Sequence, residues 1–237
     1  MKTILRLSAL LALGTTIATQ AGAAFESIKF DSENRMPLFP IALTAEGITR
    51  GQAIVAISVS AEGKLTDWLV LGYTQKSLAQ ASLEALKQWK IIPARLDGEP
   101  VPVQARLTFN FTVDGAVISF NVVNLFLYDK YASLGDGRLV YRVHNAGELD
   151  RVPARLNAPA PLYAAEAEKL GVRGKVQVRF FIDEQGAVRL PAVEAGAHPY
   201  LSEQAVAAVR EWRFEPPMRH GRPVLIAASQ EFDFSAK

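Results

Sequence analysis

The stretch Val209–Val224, VREWRFEPPMRHGRPV, decides the fold, because the chain spells a close version of it earlier, as LKQWKIIPARLDGEPV at Leu86–Val101. In each version a helical pattern runs to a tryptophan, prolines follow, and a glycine turn leads into a strand. Pro93 and Pro216 are expected to end the helix, since proline disfavours helical conformation in the residue before it. The repetition predicts two copies of one structural unit.

The repeat extends far beyond this stretch and needs no gap. A shift of 123 positions aligns turn glycines, a helix tryptophan and the phenylalanines of the last strand, namely Gly51 with Gly174, Gly63 with Gly186, Trp89 with Trp212, Gly98 with Gly221, Phe109 with Phe232 and Phe111 with Phe234. Chance would not keep such different residue types in register together. We interpret the chain as a duplicated domain rather than a solenoid array.

Each copy begins with a short helical segment, residues 40–47 or 161–171, followed by a hairpin. In the second copy the apolar residues of the first strand alternate with polar ones, which is the pattern of a half-buried strand: Val176, Val178, Phe180 and Ile182. Glu62-Gly63 and Gln185-Gly186 supply turns, because glycine tolerates a positive φ. A second strand is predicted over residues 65–71 and 188–193.

A helix and a last strand complete each copy. One helical stripe contains Leu201, Ala205, Ala208 and Trp212, matched by Leu78, Ser82, Ala85 and Trp89 in the first copy. The last strand, Val101–Val113, has an apolar residue at every odd position. The second copy repeats this alternation with one break, at Gln230. We therefore predict an α+β protein whose two domains each pack a three-stranded antiparallel sheet against helices.

The first 24 residues are typical of a cleavable signal peptide, with Lys2 and Arg6 before a short apolar run and a small-residue site at Ala21-Gly22-Ala23. The alternative is an uncleaved inner-membrane anchor, although the run Leu7–Leu13 is shorter than a spanning helix needs. We expect export to the periplasm. Without these residues the chain is formally neutral, which argues against nucleic acid as a partner, and the chain contains no cysteine for disulfides.

The second copy resembles the C-terminal domain of TonB through Gly147–Val188, GELDRVPARLNAPAPLYAAEAEKLGVRGKVQVRFFIDEQGAV, and Ala205–Val224, AVAAVREWRFEPPMRHGRPV. It departs at Tyr163-Ala164, where the family prefers Tyr-Pro; the first copy keeps Phe39-Pro40. The resemblance implies a periplasmic, non-enzymatic module to which the TonB box of an outer-membrane receptor adds as a strand. It also implies a role in TonB-dependent transport, although the family's proline-rich spacer has no counterpart among the scattered prolines here.

Strand addition needs a free sheet edge. In the first copy, Asp114-Gly115 predicts a turn, and Ala116–Val123 is expected to fold back and block the edge of Val101–Val113. The second copy is expected to keep its edge open. The candidate partner-binding residues therefore lie along its last strand: Val224, Ile226, Ala228, Gln230, Phe232 and Phe234. The alternative is a self-associating envelope protein, with edges buried between the domains or in a homodimer.

The predicted boundaries are residues 25–123 for the first domain, 124–147 for a connecting segment and 148–237 for the second domain. Leu139, Tyr141 and Val143 alternate as a short strand that we expect to pack the domains together. We expect no catalytic residue, metal or cofactor. The three histidines share no ligand spacing, and Asp97, Asp114 and Asp136 each precede a glycine, as in turns.

Overall fold

The computed structural model describes residues 24–121, 139–163, 167, 169, 171–193 and 197–234, and for residues 120 and 121 it describes the backbone alone. Outside this part lie residues 1–23 of the predicted signal peptide, residues 124–138 of the connecting segment, and residues 164–166, 168 and 170 of the predicted helix over residues 161–171. Among the described residues, no helix is both long and apolar enough to cross a membrane.

The first copy contains two helices and a series of strands. The helices are α1 (Ala42–Ala45) and α2 (Lys76–Leu86). The strands are β1 (Phe25–Glu26), β2 (Lys29–Phe30), β3 (Arg50–Val59), β4 (Leu65–Tyr73), β5 (Ile91–Ile92), β6 (Ala94–Leu96), β7 (Glu99–Val101), β8 (Val103–Thr112) and β9 (Gly115–Asn121).

The connecting segment and the second copy continue the series. They contain β10 (Tyr141–Arg142), a 3₁₀ turn (Ala146–Glu148), β11 (Arg155–Asn157), β12 (Lys175–Ile182), β13 (Val188–Val193), α3 (Pro199–Arg210), β14 (Arg213–Phe214), β15 (Met218–Arg219), β16 (Arg222–Pro223) and β17 (Ile226–Asp233).

Two antiparallel sheets dominate the molecule. The first has the order β10-β4-β3-β8-β9 and the second the order β13-β12-β17. The strands β4-β3-β8 and β13-β12-β17 are equivalent in the repeat. The α+β class is confirmed. The first sheet has five strands rather than the expected three, because β9 pairs with the outer side of β8 and β10 pairs with the end of β4.

One face of each sheet packs against its helix. In the first copy, Ala53, Val55 and Ile57 of β3 lie against Leu78 and Leu86 of α2, all of them buried. In the second copy the equivalent cluster joins β12 to α3 through Val176, Val178, Leu201, Ala205 and Val209. Each large apolar side chain that leaves water in this way contributes about 1.5–3 kcal/mol.

The other faces of the two sheets pack against each other, and we call this interface the seam. Successive side chains of a strand point to opposite faces. Ile54 and Ala56 therefore point away from α2 and meet the second sheet. The seam consists of Ile54, Ala56, Leu69, Leu71, Val143, Phe181, Leu190 and Leu225, with Leu139, Tyr141 and Ala227 at its margin. The strand β3 is thus buried on both faces, and Leu139, Tyr141 and Val143 lie between the domains as expected.

Polar groups fix the two sheets at the rim of the seam. The guanidinium of Arg189 pairs with Asp67 and donates to the carbonyl oxygen of Trp68 at 2.7 Å. The ring of Tyr141 stacks on Tyr73, with 5.0 Å between centroids, and its hydroxyl donates to Glu184. Burial, followed by that hydrogen bond, raises the pKa of Tyr141 far above its ordinary value. The phenol therefore stays neutral and keeps its role as a donor.

Both main helices end earlier than predicted. The helices α2 and α3 stop at Leu86 and Arg210, so Trp89 and Trp212 follow the helices and the later prolines do not end them. Each indole N–H donates at 2.9 Å to a carbonyl of an extended segment that we call the strap: Arg35 in the first strap (residues 31–40) and Pro159 in the second (residues 152–163). The tryptophans must leave the helices to reach these carbonyls.

The two hairpin glycines occupy equivalent positions where a side chain would not fit. Gly63 and Gly186 have φ values of 77° and 81°. A Cβ atom on Gly63 would lie 2.3 Å from the carbonyl oxygen of Ile91, and one on Gly186 would lie 1.9 Å from that of Phe214. The turn therefore lies directly against the backbone that follows the helix, which explains why the repeat keeps a glycine in both copies.

Candidate functional site

The strand β17 forms an edge of the second sheet. Its register with β12 is unbroken from Ile226, opposite Ile182, to Asp233, opposite Lys175. Phe234 N–H continues the ladder by donating to the carbonyl oxygen of Gly174 at 2.9 Å. In an antiparallel ladder the main-chain groups of successive residues point to opposite sides. The even-numbered residues of β17 therefore pair with β12, and the main-chain groups of the odd-numbered residues point outward.

The connecting segment occupies the first outward positions. His144 N–H donates to the carbonyl oxygen of Leu225 at 2.8 Å, and its carbonyl accepts from Ala227 N–H at 3.2 Å. Further along, the structure as described gives the outward N–H groups of Ser229 and Glu231 no hydrogen bond to another strand. We call residues 227–231 the open edge, since the outward N–H groups of Ser229 and Glu231 can pair with a further strand.

The six residues predicted as the partner-binding strand line the inner side of this edge. Ile226 is buried in the helix-facing cluster, and Val224, Ala228, Phe232 and Phe234 pack against it. Gln230 points to the same face. Their main-chain groups within β17 face β12, so the outward groups belong to their odd-numbered neighbours. The alternation of apolar and polar residues predicts which side chains face the core. It does not predict which main-chain groups are already paired, because that depends on which strands lie beside β17.

Different side chains flank the two faces of the open edge. On the helix-facing side, Arg155 Nη2 donates to Gln230 Oε1 at 2.6 Å, and Tyr163 packs on Phe234 with 6.0 Å between ring centroids. On the other face, Lys175 Nζ lies 2.8 Å from Glu231 Oε1. This hydrogen bond to Glu231 raises the pKa of Lys175. The first face is basic and apolar, and the second carries a paired charge.

The equivalent edge of the first copy is covered by its own chain. The strand β9 pairs with β8 from Gly115, opposite Thr112, to Asn121, opposite Arg106. The predicted fold-back of this segment is confirmed as far as residue 121, and residues 122 and 123 lie outside the described part. The position equivalent to Gln230 holds Leu107, which is fully buried.

A cluster of charges holds His144 against β17. Glu148 accepts two hydrogen bonds from Arg142, at 3.0 and 2.5 Å, and lies 3.0 Å from His144 Nδ1. Arg219 approaches the same carboxylate at 3.7 Å. The hydrogen bond from Arg142, helped by those from His144 and the backbone of Asn145, lowers the pKa of Glu148 to about 2. The cluster therefore determines where the open edge begins.

The three histidines have separate structural positions. His144 belongs to the charge cluster, His198 accepts a 3.3 Å hydrogen bond from Tyr200 N–H at the start of α3, and His220 lies in a turn at φ 49°. In the part of the chain that the structure describes, no three His, Asp or Glu side chains are grouped so that they could hold a metal ion.

A cleft of about 710 Å³ lies between the first strap and α2. Its rim includes the exposed side chains of Met36 and Leu38. Lys90 Nζ lies 4.0 Å from Glu33, and the indole of Trp89 donates to the carbonyl of Arg35, so these groups tie the strap to the end of the helix.

The family model described as the Gram-negative bacterial TonB protein C-terminal matches this chain twice, at residues 36–113 and 159–236. Protein TonB of Yersinia enterocolitica is 38% identical over 64 residues, which are 27% of this chain and 25% of that protein. The chain thus spans about a quarter of the length of this curated relative.

A solution structure of the Pseudomonas aeruginosa TonB C-terminal domain is 25% identical, with a TM-score of 0.34, and the match covers 40% of this chain and 94% of that one. The two family-model matches together span most of the chain and fall on the two copies of the repeat. The chain belongs to the TonB C-terminal family, as a tandem pair of the family's domains.

Proposed function

We propose that this protein is a non-enzymatic module of the cell envelope that binds an extended peptide, or an extended segment of an envelope protein, by strand addition at the open edge. The observation that carries the proposal is the pair of outward N–H groups of Ser229 and Glu231. Membership of the TonB C-terminal family suggests the partner, the TonB box of an outer-membrane receptor, and a supporting role in TonB-dependent transport.

Strand addition suits this surface because the backbone supplies the binding groups. Each intermolecular hydrogen bond contributes about 1 kcal/mol net, and the side chains on either face of the edge adjust specificity. An edge without a neighbour is otherwise a site of aggregation. The protein covers the equivalent edge of the first copy with β9, whereas no described residue pairs with Ser229 or Glu231 at this edge, and this contrast supports a functional role for it.

The proposal includes the location and the division of labour within the chain. We infer a periplasmic protein whose residues 1–24 are removed on export. Residues 25–123 then act as a supporting domain, residues 124–147 connect the domains, and residues 148–237 form the binding domain. Binding by main-chain pairing requires neither a metal nor a cofactor.

A proline in the open edge tests the proposal. Ser229→Pro removes an outward N–H, whereas a proline at Ala228 would remove an N–H that pairs with β12 and would damage the sheet itself. We expect Ser229→Pro to weaken binding of a synthetic TonB-box peptide by at least about tenfold, while Ser229→Ala binds like the unchanged chain. Isothermal titration calorimetry measures both.

Equal binding by Ser229→Pro and Ser229→Ala, with both variants folded by circular dichroism, would place the peptide elsewhere and overturn the proposal. The second candidate function is self-association, in which the open edges of two copies of the protein pair in a homodimer. The outward N–H groups of Ser229 and Glu231 could form the hydrogen bonds of that pairing as well. Sedimentation velocity separates the two: a dimer that Ser229→Pro dissociates, together with no peptide binding, favours self-assembly.

A further inference from the structure

Gln230 is the polar residue that interrupts the apolar stripe of the last strand, and its side chain lies beside the open edge. Its side-chain carbonyl accepts from Arg155 at 2.6 Å, and its Nε2 donates at 2.6 Å to the carbonyl oxygen of Glu231. That carbonyl is one of the outward-facing groups of β17. The amide of Gln230 and the guanidinium bound to it therefore lie at the open side of the strand.

Arg155 is held in place without an anionic partner. Its guanidinium lies over the ring of Trp212, 4.7 Å from the centroid, and Gln230 fixes one end of it. Trp212 is buried and in turn packs on Phe232, with 5.7 Å between centroids. Among the described residues Arg155 forms no ion pair, in contrast to Arg142, Arg151, Arg189 and Arg219. The arginine is thus positioned, exposed and electrostatically unbalanced.

The opposite face of the open edge carries charges of both signs, because Lys175 lies opposite Asp233 and Arg179 lies opposite Ser229. Glu231 and Asp233 lie on that face, and Lys175 already pairs with Glu231 at 2.8 Å. Side chains of an added strand alternate between the two faces. A carboxylate is therefore favoured on the Arg155 face, where the guanidinium has no ion pair among the described residues, over the neighbouring position on the Glu231 face, where Lys175 already pairs with Glu231.

We propose that Arg155, positioned by Gln230 and Trp212, binds an aspartate or glutamate side chain of the added strand, so that the preferred partner is an extended peptide with an acidic residue facing the second strap. A guanidinium offers two parallel donors to a carboxylate, which gives direction as well as affinity. The pair would form next to the outward N–H groups of Ser229 and Glu231. The inference rests on the proposed strand addition and specifies which strands are accepted.

The first copy has different residues at the positions equivalent to Arg155 and Gln230. Leu107, at the position equivalent to Gln230, is fully buried, and β9 occupies the edge beside it. The corresponding strap places Ser32, not an arginine, at the position equivalent to Arg155. Arg155 and Gln230 thus occur together in the copy whose edge is open, and neither occurs in the copy whose edge is closed.

A positional scan with synthetic peptides tests the inference on the full mature chain. The probes are acetylated and amidated octapeptides of alternating valine and threonine, with one glutamate or one glutamine placed at each position in turn. We expect glutamate to be preferred over glutamine by about fivefold at positions of one parity only, and the preference to fall at high salt. Fluorescence anisotropy of labelled probes measures the affinities.

Three variants test whether Arg155 is the residue that recognises the glutamate side chain of the probe. Arg155→Glu should abolish the preference for glutamate and create one for lysine at the same positions, an outcome that loss of folding cannot produce. Gln230→Leu, which restores the residue type of the first copy, should reduce the preference by releasing the guanidinium. Arg35→Gln, an exposed arginine of the first strap, serves as the matched control and should change nothing.

Equal affinity for glutamate and glutamine probes, or a preference unchanged in Arg155→Glu, would overturn the inference while leaving strand addition intact. Failure of every probe to bind would overturn strand addition as well, and the inference with it.

Discussion

The two copies share a fold but treat the same edge in opposite ways. In the first, β9 folds back and pairs along β8, and in the second, the described part of the connecting segment pairs with β17 as far as Ala227. The difference between Leu107, fully buried, and Gln230, bonded to Arg155, follows the difference in cover. The comparison teaches that two copies of one fold can differ at the same edge of the sheet when the chain that follows or precedes each copy covers that edge differently.

The two copies share the buried side chains of the seam, so the stability of each copy depends on the other. Disrupting the seam should therefore have the largest effect on the free energy of unfolding. Phe181 is fully buried at the seam, pointing away from α3. Phe181→Ala should lower the free energy of unfolding by about 3–5 kcal/mol and split one urea transition into two, because the domains lose their shared core. Circular dichroism and tryptophan fluorescence follow the transitions.

The exposed Val117 provides a control, since Val117→Ala should change stability little. A single transition of normal midpoint for Phe181→Ala would mean that the seam does not couple the copies.

The hairpin glycines test whether the two copies are equally intolerant of a side chain at the hairpin turn. A Cβ at Gly186 would approach the backbone of Phe214 more closely than one at Gly63 approaches that of Ile91, at 1.9 against 2.3 Å. Both substitutions to alanine should destabilise their own domain, by about 2–3 kcal/mol, and Gly186→Ala should cost more. Gly98, which has a positive φ but open space around it, is the control for conformation alone.

Chemical denaturation with hydrogen exchange assigns each loss to its domain. Indistinguishable effects of Gly186→Ala and Gly98→Ala would show that close approach to the backbone is unimportant.

Uncovering the first edge would make the copies more alike. The register of β8 with β9 places Ser119 opposite Thr108 in a hydrogen-bonded pair. Ser119→Pro should loosen β9, cost about 1–2 kcal/mol and expose a second edge. We expect increased self-association relative to the unchanged chain in sedimentation velocity. Ser119→Ala is the control, and identical behaviour of the two variants would show that β9 is not what protects this edge.

The charge cluster around His144 gives the smallest effect and a defined pH window. The pKa of Glu148 falls from its ordinary 4.5 to about 2 in the folded protein. A lowered folded pKa means that Glu148 stabilises the fold above pH 4.5, and that this contribution disappears as the pH falls toward 2. Glu148→Gln should cost up to about 1 kcal/mol at pH 7, since the pair is partly screened.

The Glu148→Gln variant and the unchanged chain should approach each other in melting temperature as the pH falls from 4.5 to 2, as thermal melts from pH 2 to 7 would record. A difference that is independent of pH would mean that Glu148 acts through shape rather than charge. The same variant should also increase hydrogen exchange at Ala227, because His144 would be held less firmly.

Much of the fold could be predicted from local patterns. The gapless repeat, the alternation along β8 and the Asp114-Gly115 turn each depend on near neighbours in the chain, and all three appear in the structure. The predicted ends of the helices were wrong, because Trp89 and Trp212 are placed by carbonyls of the straps, 54 and 53 residues away along the chain. The strand β17 could be predicted from its alternation, but which of its main-chain groups face outward could not.

The sequence by itself determined the duplication, the α+β class, the family and the covered edge of the first copy, because turns and side-chain alternation are properties of adjacent residues. Only the tertiary structure decided that the two sheets pack face to face, that His144 covers the start of β17 and that Arg155 meets Gln230. These contacts join residues far apart in the chain, and no local periodicity encodes which face, or which edge, finds a partner. Phe180-Phe181-Ile182 was the available signal for the seam, since three consecutive apolar residues in a strand require burial on both faces.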